Sequence, residues 1–252
     1  MDLGLRDRVY IVTGASGGLG FATAQALVDE GAQLVISSRD EDAIARAAAT
    51  LGTSRVVGIP VDNASPDGAT RLVAAAMAKW GALHGALISV GGPPAGPAMD
   101  TDEEDWHHAF ESVFLGAFRI ARAVATSGGE GTSIAFVLST SVRTPLPSLA
   151  ISNGLRPGLA MLAKTLADEL GPRGIRVNGL MPGRIATDRV AELDARGGDP
   201  AKTRAAIEKT IPLRRYGDPL EFGRVAAFVL SPVASYLTGA IIPVDGGGLR
   251  TL

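Results

Sequence analysis

Thr13-Gly14-Ala15-Ser16-Gly17-Gly18-Leu19-Gly20 decides how this chain is read. It follows Val9-Tyr10-Ile11-Val12, an apolar run of strand length. It precedes Phe21-Ala22-Thr23-Ala24-Gln25-Ala26-Leu27-Val28, a stretch that reads as helix. A strand, a glycine turn and a helix start form a cradle for phosphate. Glycines let the backbone approach the ligand, and free N–H groups with the helix dipole favour its negative charge. The spacing Gly14-x-x-x-Gly18-x-Gly20 is one residue longer than the commoner dinucleotide fingerprint. A glycine pattern alone is weak evidence, and the strand-helix context is what separates it from a turn without a ligand.

Outward from this turn, strand and helix patterns alternate almost to the end of the chain. Strands are expected at 8–13, 33–38, 55–60, 83–89, 133–139, 175–180 and 239–244, and helices at about 18–30, 40–51, 66–80, 102–127, 157–170 and 219–230. The strands are short and β-branched with little alternation, as expected when helices cover both faces. The order implies an α/β, Rossmann-type, doubly wound and mostly parallel sheet of seven strands. Thr101-x-x-Glu104 reads as a capping box at one helix start. Leu159, Leu162, Ala163, Leu166 and Leu170 form an apolar stripe on a later helix, read as a core-packing face.

The 252 residues suit a single domain spanning 1–252, and 46% apolar content supplies a large core. A net charge of −2 gives no reason to expect nucleic acid or an anionic membrane as partner. The absence of cysteine excludes disulfides, thiol nucleophiles and thiolate metal sites. No apolar run approaches a membrane span, and the first residues lack the apolar core of a signal peptide. The expectation is a cytoplasmic protein acting on a small-molecule substrate. His107 and His108 are adjacent and face different sides of a helix, and His84 is isolated, so no metal site is expected. Asp100, Asp102, Glu103, Glu104 and Asp105 read as an acidic helix start favoured by the dipole.

Across nearly its whole length the chain resembles the short-chain dehydrogenase/reductase family. Thr13–Gly20, including Ser16, Gly17 and Leu19, resembles that family's Thr-Gly-x-x-x-Gly-x-Gly cofactor motif. Gly174-Ile175-Arg176-Val177-Asn178 with Met181-Pro182-Gly183-Arg184-Ile185-Ala186-Thr187 resembles its sixth strand and Pro-Gly loop. Tyr236–Gly247 resembles its C-terminal strand and tail. Within the family the chain is most similar to the 3-oxoacyl-acyl-carrier-protein reductase branch. The resemblance implies a nicotinamide cofactor, with Thr187 at its carboxamide and Asp62 near its adenine, and a homodimer or homotetramer. Asp62 reads alternatively as a cap for the helix that follows.

The catalytic pair of the family, Tyr-x-x-x-Lys, does not match. Alignment on Leu166-Ala167-Asp168-Glu169-Leu170 puts Ser152 at the tyrosine position and Arg156 at the lysine position. No tyrosine occurs between Tyr10 and Tyr216. The family's Asn-Asn-Ala-Gly is replaced by Ser89-Val90-Gly91-Gly92, and its fourth-helix asparagine falls at Val113. Ser139 lies at the spacing of the family's catalytic serine, with Ser141 as the alternative. A serine hydroxyl is a poor acid, and a guanidinium holds its proton, but Arg156 could bind a ribose or an anion, or stabilise an alkoxide. Pro157 suits a first helical turn, so the helix is expected to start near Arg156. The bland alternative makes Ser152 a cap and Arg156 a surface cation.

Cofactor choice reads from Ser37-Ser38-Arg39-Asp40 after the second strand. An NAD site usually has an acid at the strand end. Ser38 and Arg39 instead offer a hydroxyl and a guanidinium suited to a 2′-phosphate, which favours NADP(H). A solvated Arg39 paired with a carboxylate is the alternative. Two functions stay open: an NADP(H)-dependent oxidoreductase with a rearranged site, and a nucleotide-binding protein that has lost that activity.

Overall fold

The sheet holds seven parallel strands, β1 (Val9–Thr13), β2 (Gln33–Ser38), β3 (Val56–Pro60), β4 (Gly85–Ile88), β5 (Ser133–Val137), β6 (Arg176–Pro182) and β7 (Ile241–Val244). Their order is β3-β2-β1-β4-β5-β6-β7. These come from a computed structural model that describes residues 1–251; Leu252, the apolar end of the tail, lies outside the described residues. The helices are α1 (Gly18–Asp29), α2 (Glu41–Leu51), α3 (Gly68–Trp80), α4 (Glu103–Ala109), α5 (Gly116–Ser127), α6 (Ala150–Leu170), α7 (Asp188–Ala195), α8 (Pro200–Glu208) and α9 (Pro219–Leu230). This is the doubly wound Rossmann-type arrangement that the alternating sequence pattern implies.

Strand side chains divide between two cores. Val9, Ile11 and Val35 face Leu72 of α3, Ile120 and Val124 of α5, and Leu159 and Ala163 of α6. Tyr10, Val12, Leu34 and Ile36 face Leu27 of α1, Ile44 of α2, and Phe222 and Ala226 of α9. Both faces are covered, so the strands carry continuous apolar runs rather than alternation. The chain reverses its direction of winding between β1 and β4. In open α/β sheets the ligand crevice lies there, beyond the carboxyl ends of the strands.

Three sequence expectations need correction. The helix expected at 102–127 is interrupted: α4 runs into a π-helical turn, Phe110–Leu115, before α5 begins. Thr101 does not open a capping box. Its hydroxyl donates to the Pro97 carbonyl at 2.7 Å, and Asp102 is the residue flanking α4. Helix α6 starts at Ala150, not near Arg156, and Pro157 stands inside it. Pro157 has no N–H for the Asn153 carbonyl, a substitution that costs about 3 kcal/mol in an ordinary helix. Tertiary packing offsets it. A Cβ on Gly154 would come 2.8 Å from the Trp106 ring and one on Gly158 would come 3.2 Å from Phe114, so α6 lies tight against α4 and the π-turn. The Asn153 side chain also accepts from the Leu146 N–H at 3.0 Å and donates to its carbonyl at 2.8 Å. Helices α7 and α8 went unread because they are charged and shallow. Asp194 is the buried residue of α7, and α8 buries none.

Candidate active site

The glycine turn is built in two layers. Gly14 has φ +60°, and a Cβ there would lie 2.9 Å from the Ser89 carbonyl oxygen. A Cβ on Gly20 would collide with the Gly14 carbonyl, so this glycine lets α1 sit directly on the turn. These two positions serve close packing. Gly17 and Gly18 form the open edge: nothing lies within 4 Å of a Cβ on Gly17, and Gly18 has φ +54°. No side chain caps α1 and no acid occupies its first turn, so its leading N–H groups are unclaimed. An open glycine edge over unclaimed N–H groups fits a phosphate group. Ala15 anchors the turn by donating to the Ser37 carbonyl at 2.9 Å, while Ser16 is exposed and Leu19 half-buried.

Thr13 joins the turn to β4. Its hydroxyl donates to the Ser89 carbonyl at 2.6 Å and accepts from the Ser89 N–H at 2.9 Å. Asn63 donates to the same carbonyl at 3.3 Å and to the Thr13 hydroxyl at 3.4 Å, so the ends of β1 and β4 and the residue run after β3 form one unit. Asn63 was missed in the sequence because its partners are distant in the chain. Ser38 donates to the Asp40 carbonyl at 3.0 Å, and Arg39 is exposed without an ion pair among the described residues. Asp62 accepts from the Ala64 N–H at 2.9 Å and turns the chain after β3.

The opposite wall comes from β5 and α6. Ser139 accepts from the Ser141 N–H at 3.1 Å and caps the short turn Thr140–Val142. Ser141 is buried, with its Oγ 3.3 Å from the Ser152 Oγ. Ser152 and Arg156 are four residues apart on α6 and share a face. Arg156 is only 5% exposed, and its Nη1 donates to the Val137 carbonyl at the end of β5. Neither the cap nor the surface-cation alternative describes this pair. Burial pushes the guanidinium down to about 10, so it remains a cation at neutral pH. Val113 is buried within the π-turn, and such turns recur beside functional sites.

The Pro182-Gly183 loop packs on the end of β7. The Gly183 N–H donates to the Val244 carbonyl at 3.0 Å, and a Cβ on Gly183 would lie 2.6 Å from that of Asp245. Thr187 starts α7 and accepts from the Val190 N–H at 3.4 Å. Its Cγ2 would be 3.6 Å from a Cβ on Gly18, so this loop meets the open edge of the glycine turn. Two arginines unread in the sequence then tie α7 and the residue after it to the loop following β4. Arg189 donates to the Pro93 carbonyl at 2.6 Å and Arg196 to the Ala95 carbonyl at 2.9 Å.

Tyr216, the tyrosine nearest in sequence to Ser152, is engaged by Asp194. Its hydroxyl donates to the buried Asp194 carboxylate, with oxygens at 3.0 and 3.2 Å, and Arg184 donates to the same group at 3.2 Å. Burial and the Asp194 carboxylate push the phenol up to about 12. Among the described residues no cluster of three metal-ligating side chains exists, and no helix is long and apolar enough to cross a membrane.

Comparison with known proteins agrees with this geometry. The family model described as Enoyl-(Acyl carrier protein) reductase matches residues 14–248. Dehydrogenase/reductase SDR family member 4 of Bos taurus is 34% identical, over 98% of this chain and 89% of its own length. Galactitol 2-dehydrogenase (L-tagatose-forming) of Cereibacter sphaeroides is 34% identical, over 94% of this chain and 92% of its own. L-Sorbose reductase of Gluconobacter frateurii, solved with NADPH and L-sorbose, superposes with a TM-score of 0.93 at 30% identity, with full coverage of both chains. The chain belongs to the short-chain dehydrogenase/reductase family, and the proteins it is similar to are oxidoreductases.

Proposed function

We propose that this protein is an NADP(H)-dependent oxidoreductase acting on a small carbonyl or alcohol substrate, a 3-oxoacyl thioester among the candidates, through an altered catalytic site. The observation that carries the reading is the intact cradle: open glycines and unclaimed α1 N–H groups, met across the crevice by Thr187. Gly14, Ser16, Gly17, Gly18, Leu19 and Gly20 form the pyrophosphate side. Ser38 and Arg39 take the 2′-phosphate, Asp62 lies by the adenine, and Pro182, Gly183 and Thr187 lie by the nicotinamide. NADPH in the L-sorbose reductase structure supports the cofactor assignment. When bound, the cofactor supplies or accepts a hydride at its nicotinamide.

The chain's own part is to bind and polarise the substrate. Ser152 and Arg156 stand where the family has its tyrosine and lysine, with Ser141 bonded to Ser152 and Ser139 capping the adjoining turn. Hydroxyl donors and a fixed cation stabilise negative charge on a substrate oxygen. The second reading is a family member that binds nucleotide without turnover, favoured by the commitment of Tyr216 to Asp194. Fluorescence titration with NADPH and NADH, followed by a turnover screen on 3-oxoacyl thioesters, quinones and small ketones, separates the two. Binding without turnover selects the second, and absence of NADPH binding overturns both. We also propose a cytoplasmic homodimer or homotetramer, and a monomer by light scattering at micromolar concentration overturns that assembly.

A further inference from the structure

Two arginines are buried in this fold, Arg156 at 5% and Arg176 at 7% exposure. Neither forms an ion pair among the described residues. They are satisfied to very different degrees. Arg176 donates to the carbonyls of Val229 at 2.9 Å, Leu237 at 3.2 Å, Leu230 at 3.4 Å and Ser231 at 2.9 Å, so backbone dipoles share its charge. Arg156 has one protein partner, the Val137 carbonyl, which it reaches through Nη1. Its Nε and Nη2 have none among the described residues. The only side-chain nitrogen or oxygen there that is both sealed and unpartnered is Ser37 Oγ, so these two nitrogens keep contact with solvent. A buried cation without a counter-ion is costly. The one buried carboxylate among the described residues, Asp194, is taken by Tyr216 and Arg184.

The surroundings of Arg156 add to its positive charge instead of cancelling it. Helix α6 begins with no side-chain cap and no acid in its first turn. The N–H groups of Ile151 and Ser152 have no protein partner among the described residues. The helix dipole places partial positive charge at that end. Side chains on a helix lean toward its N-terminus, which carries Arg156 back over the turn of Ser152. Ser152 and Ser141, both buried, add hydroxyls whose oxygens are 3.3 Å apart. Nε and Nη2 lie on one edge of the guanidinium, and their parallel N–H groups match the two oxygens of a carboxylate. One fixed cation balances one negative charge, which suits a carboxylate better than a phosphate near two charges. We propose that the substrate carries a carboxylate, held by Arg156 through Nε and Nη2 with the Ser152 hydroxyl beside it; this rests on the NADP(H) oxidoreductase reading above. A neutral substrate leaves the charge of Arg156 uncompensated, and an acid of the same shape completes the pair. The bound carboxylate also fixes one end of the substrate against α6.

The test compares acids with amides of the same shape, benzoate with benzamide and 4-phenylbutanoate with 4-phenylbutanamide. Each is titrated calorimetrically into the full chain, with and without saturating NADPH. At least one acid is expected to bind about 10–100-fold more tightly than its amide, the worth of a charge-assisted pair. Arg156→Gln is expected to bring each acid within about twofold of its amide. Arg156→Lys keeps the charge and loses the fork, so it is expected to retain a preference while binding the acid about 3–10-fold more weakly than the parent. NADPH affinity is expected to stay within about threefold of the parent in both variants. Thermal melts identify a variant that fails to fold; if Arg156→Gln does so, unchanged acid affinity in the folded Arg156→Lys overturns the proposal. No preference for the acid in either pair, or a preference that survives Arg156→Gln, also overturns it. Acids and amides bound alike by the parent, with NADPH affinity lost in Arg156→Gln, would give Arg156 to the cofactor and overturn the proposal while the cofactor reading stands. If NADPH does not bind the parent, that reading falls, and the titrations without cofactor decide whether the carboxylate site stands.

Discussion

The glycine turn after β1 and the wall made by β5 and α6 are held in place by different means. On the first side the constraint lies in the backbone. Gly18 needs φ +54° and Gly20 allows no Cβ, so substitution there disturbs the shape of the turn itself. On the second side close side-chain packing sets the position of α6. Trp106 against Gly154 and Phe114 against Gly158 set how closely α6 lies on α4 and the π-turn. Substitution therefore threatens the shape of the turn on the first side and the close helix packing on the second.

Gly18→Val tests the first side most severely. A β-branched residue at positive φ costs about 1–3 kcal/mol and puts bulk on the open edge beside Thr187. NADPH affinity is expected to fall beyond detection while circular dichroism stays that of the parent. Retained affinity would mean that the cofactor approaches elsewhere.

Arg39→Ala sharpens the same side. Arg39 is exposed and free of ion pairs among the described residues, so its loss leaves the fold intact. The preference for NADPH over NADH is expected to drop by about one to two orders of magnitude, the worth of a charge-assisted contact of about 1.5–3 kcal/mol. Equal affinity of the parent for both cofactors would remove the basis of this assignment.

The double change Arg189→Ala and Arg196→Ala probes the closure between the two sides. It removes the donors to the Pro93 and Ala95 carbonyls. Hydrogen exchange at 91–97 is expected to quicken, and substrate KM to rise by less than about tenfold given the partial exposure of these contacts. NADPH affinity should hold, and a fall would show that the loop also shapes the cofactor pocket.

The smallest effect is expected at Tyr216. Its phenol is raised from the ordinary value of 10 to about 12 in the folded chain. The unfolded chain therefore loses this proton first, and stability falls as pH rises from about 10 to about 12. Tyr216→Phe should flatten the melting-temperature decline over that window, at some cost in stability at neutral pH from the lost bond to Asp194. An unchanged profile would place the alkaline sensitivity elsewhere.

Residues 13–20 were legible because the motif is local: its shape depends on the φ angles of a few neighbouring residues and on the strand and helix that flank them. The helix that carries Ser152 and Arg156 was also visible in sequence. Its starting point was not. Pro157 is a local signal for a helix start, and contacts with Trp106 and Phe114 overrode it. The Thr101 box failed for a similar reason, since Thr101 turned back to Pro97. Helices α7 and α8 carry little local signal because they bury little: Asp194 is the buried residue of α7, and α8 buries none.

The sequence by itself determined the doubly wound sheet, the glycine turn between β1 and α1, and the presence of Ser152 and Arg156 four residues apart, because periodicity, glycine spacing and residue identity are properties of the chain. Only the tertiary structure decided that Arg156 is buried against Val137, 19 residues away, that Asp194 and Tyr216 bond across 22, and that Arg189 reaches Pro93 across 96. A side chain's partner and its exposure to water depend on which elements the fold brings beside it, and those elements are distant in the chain.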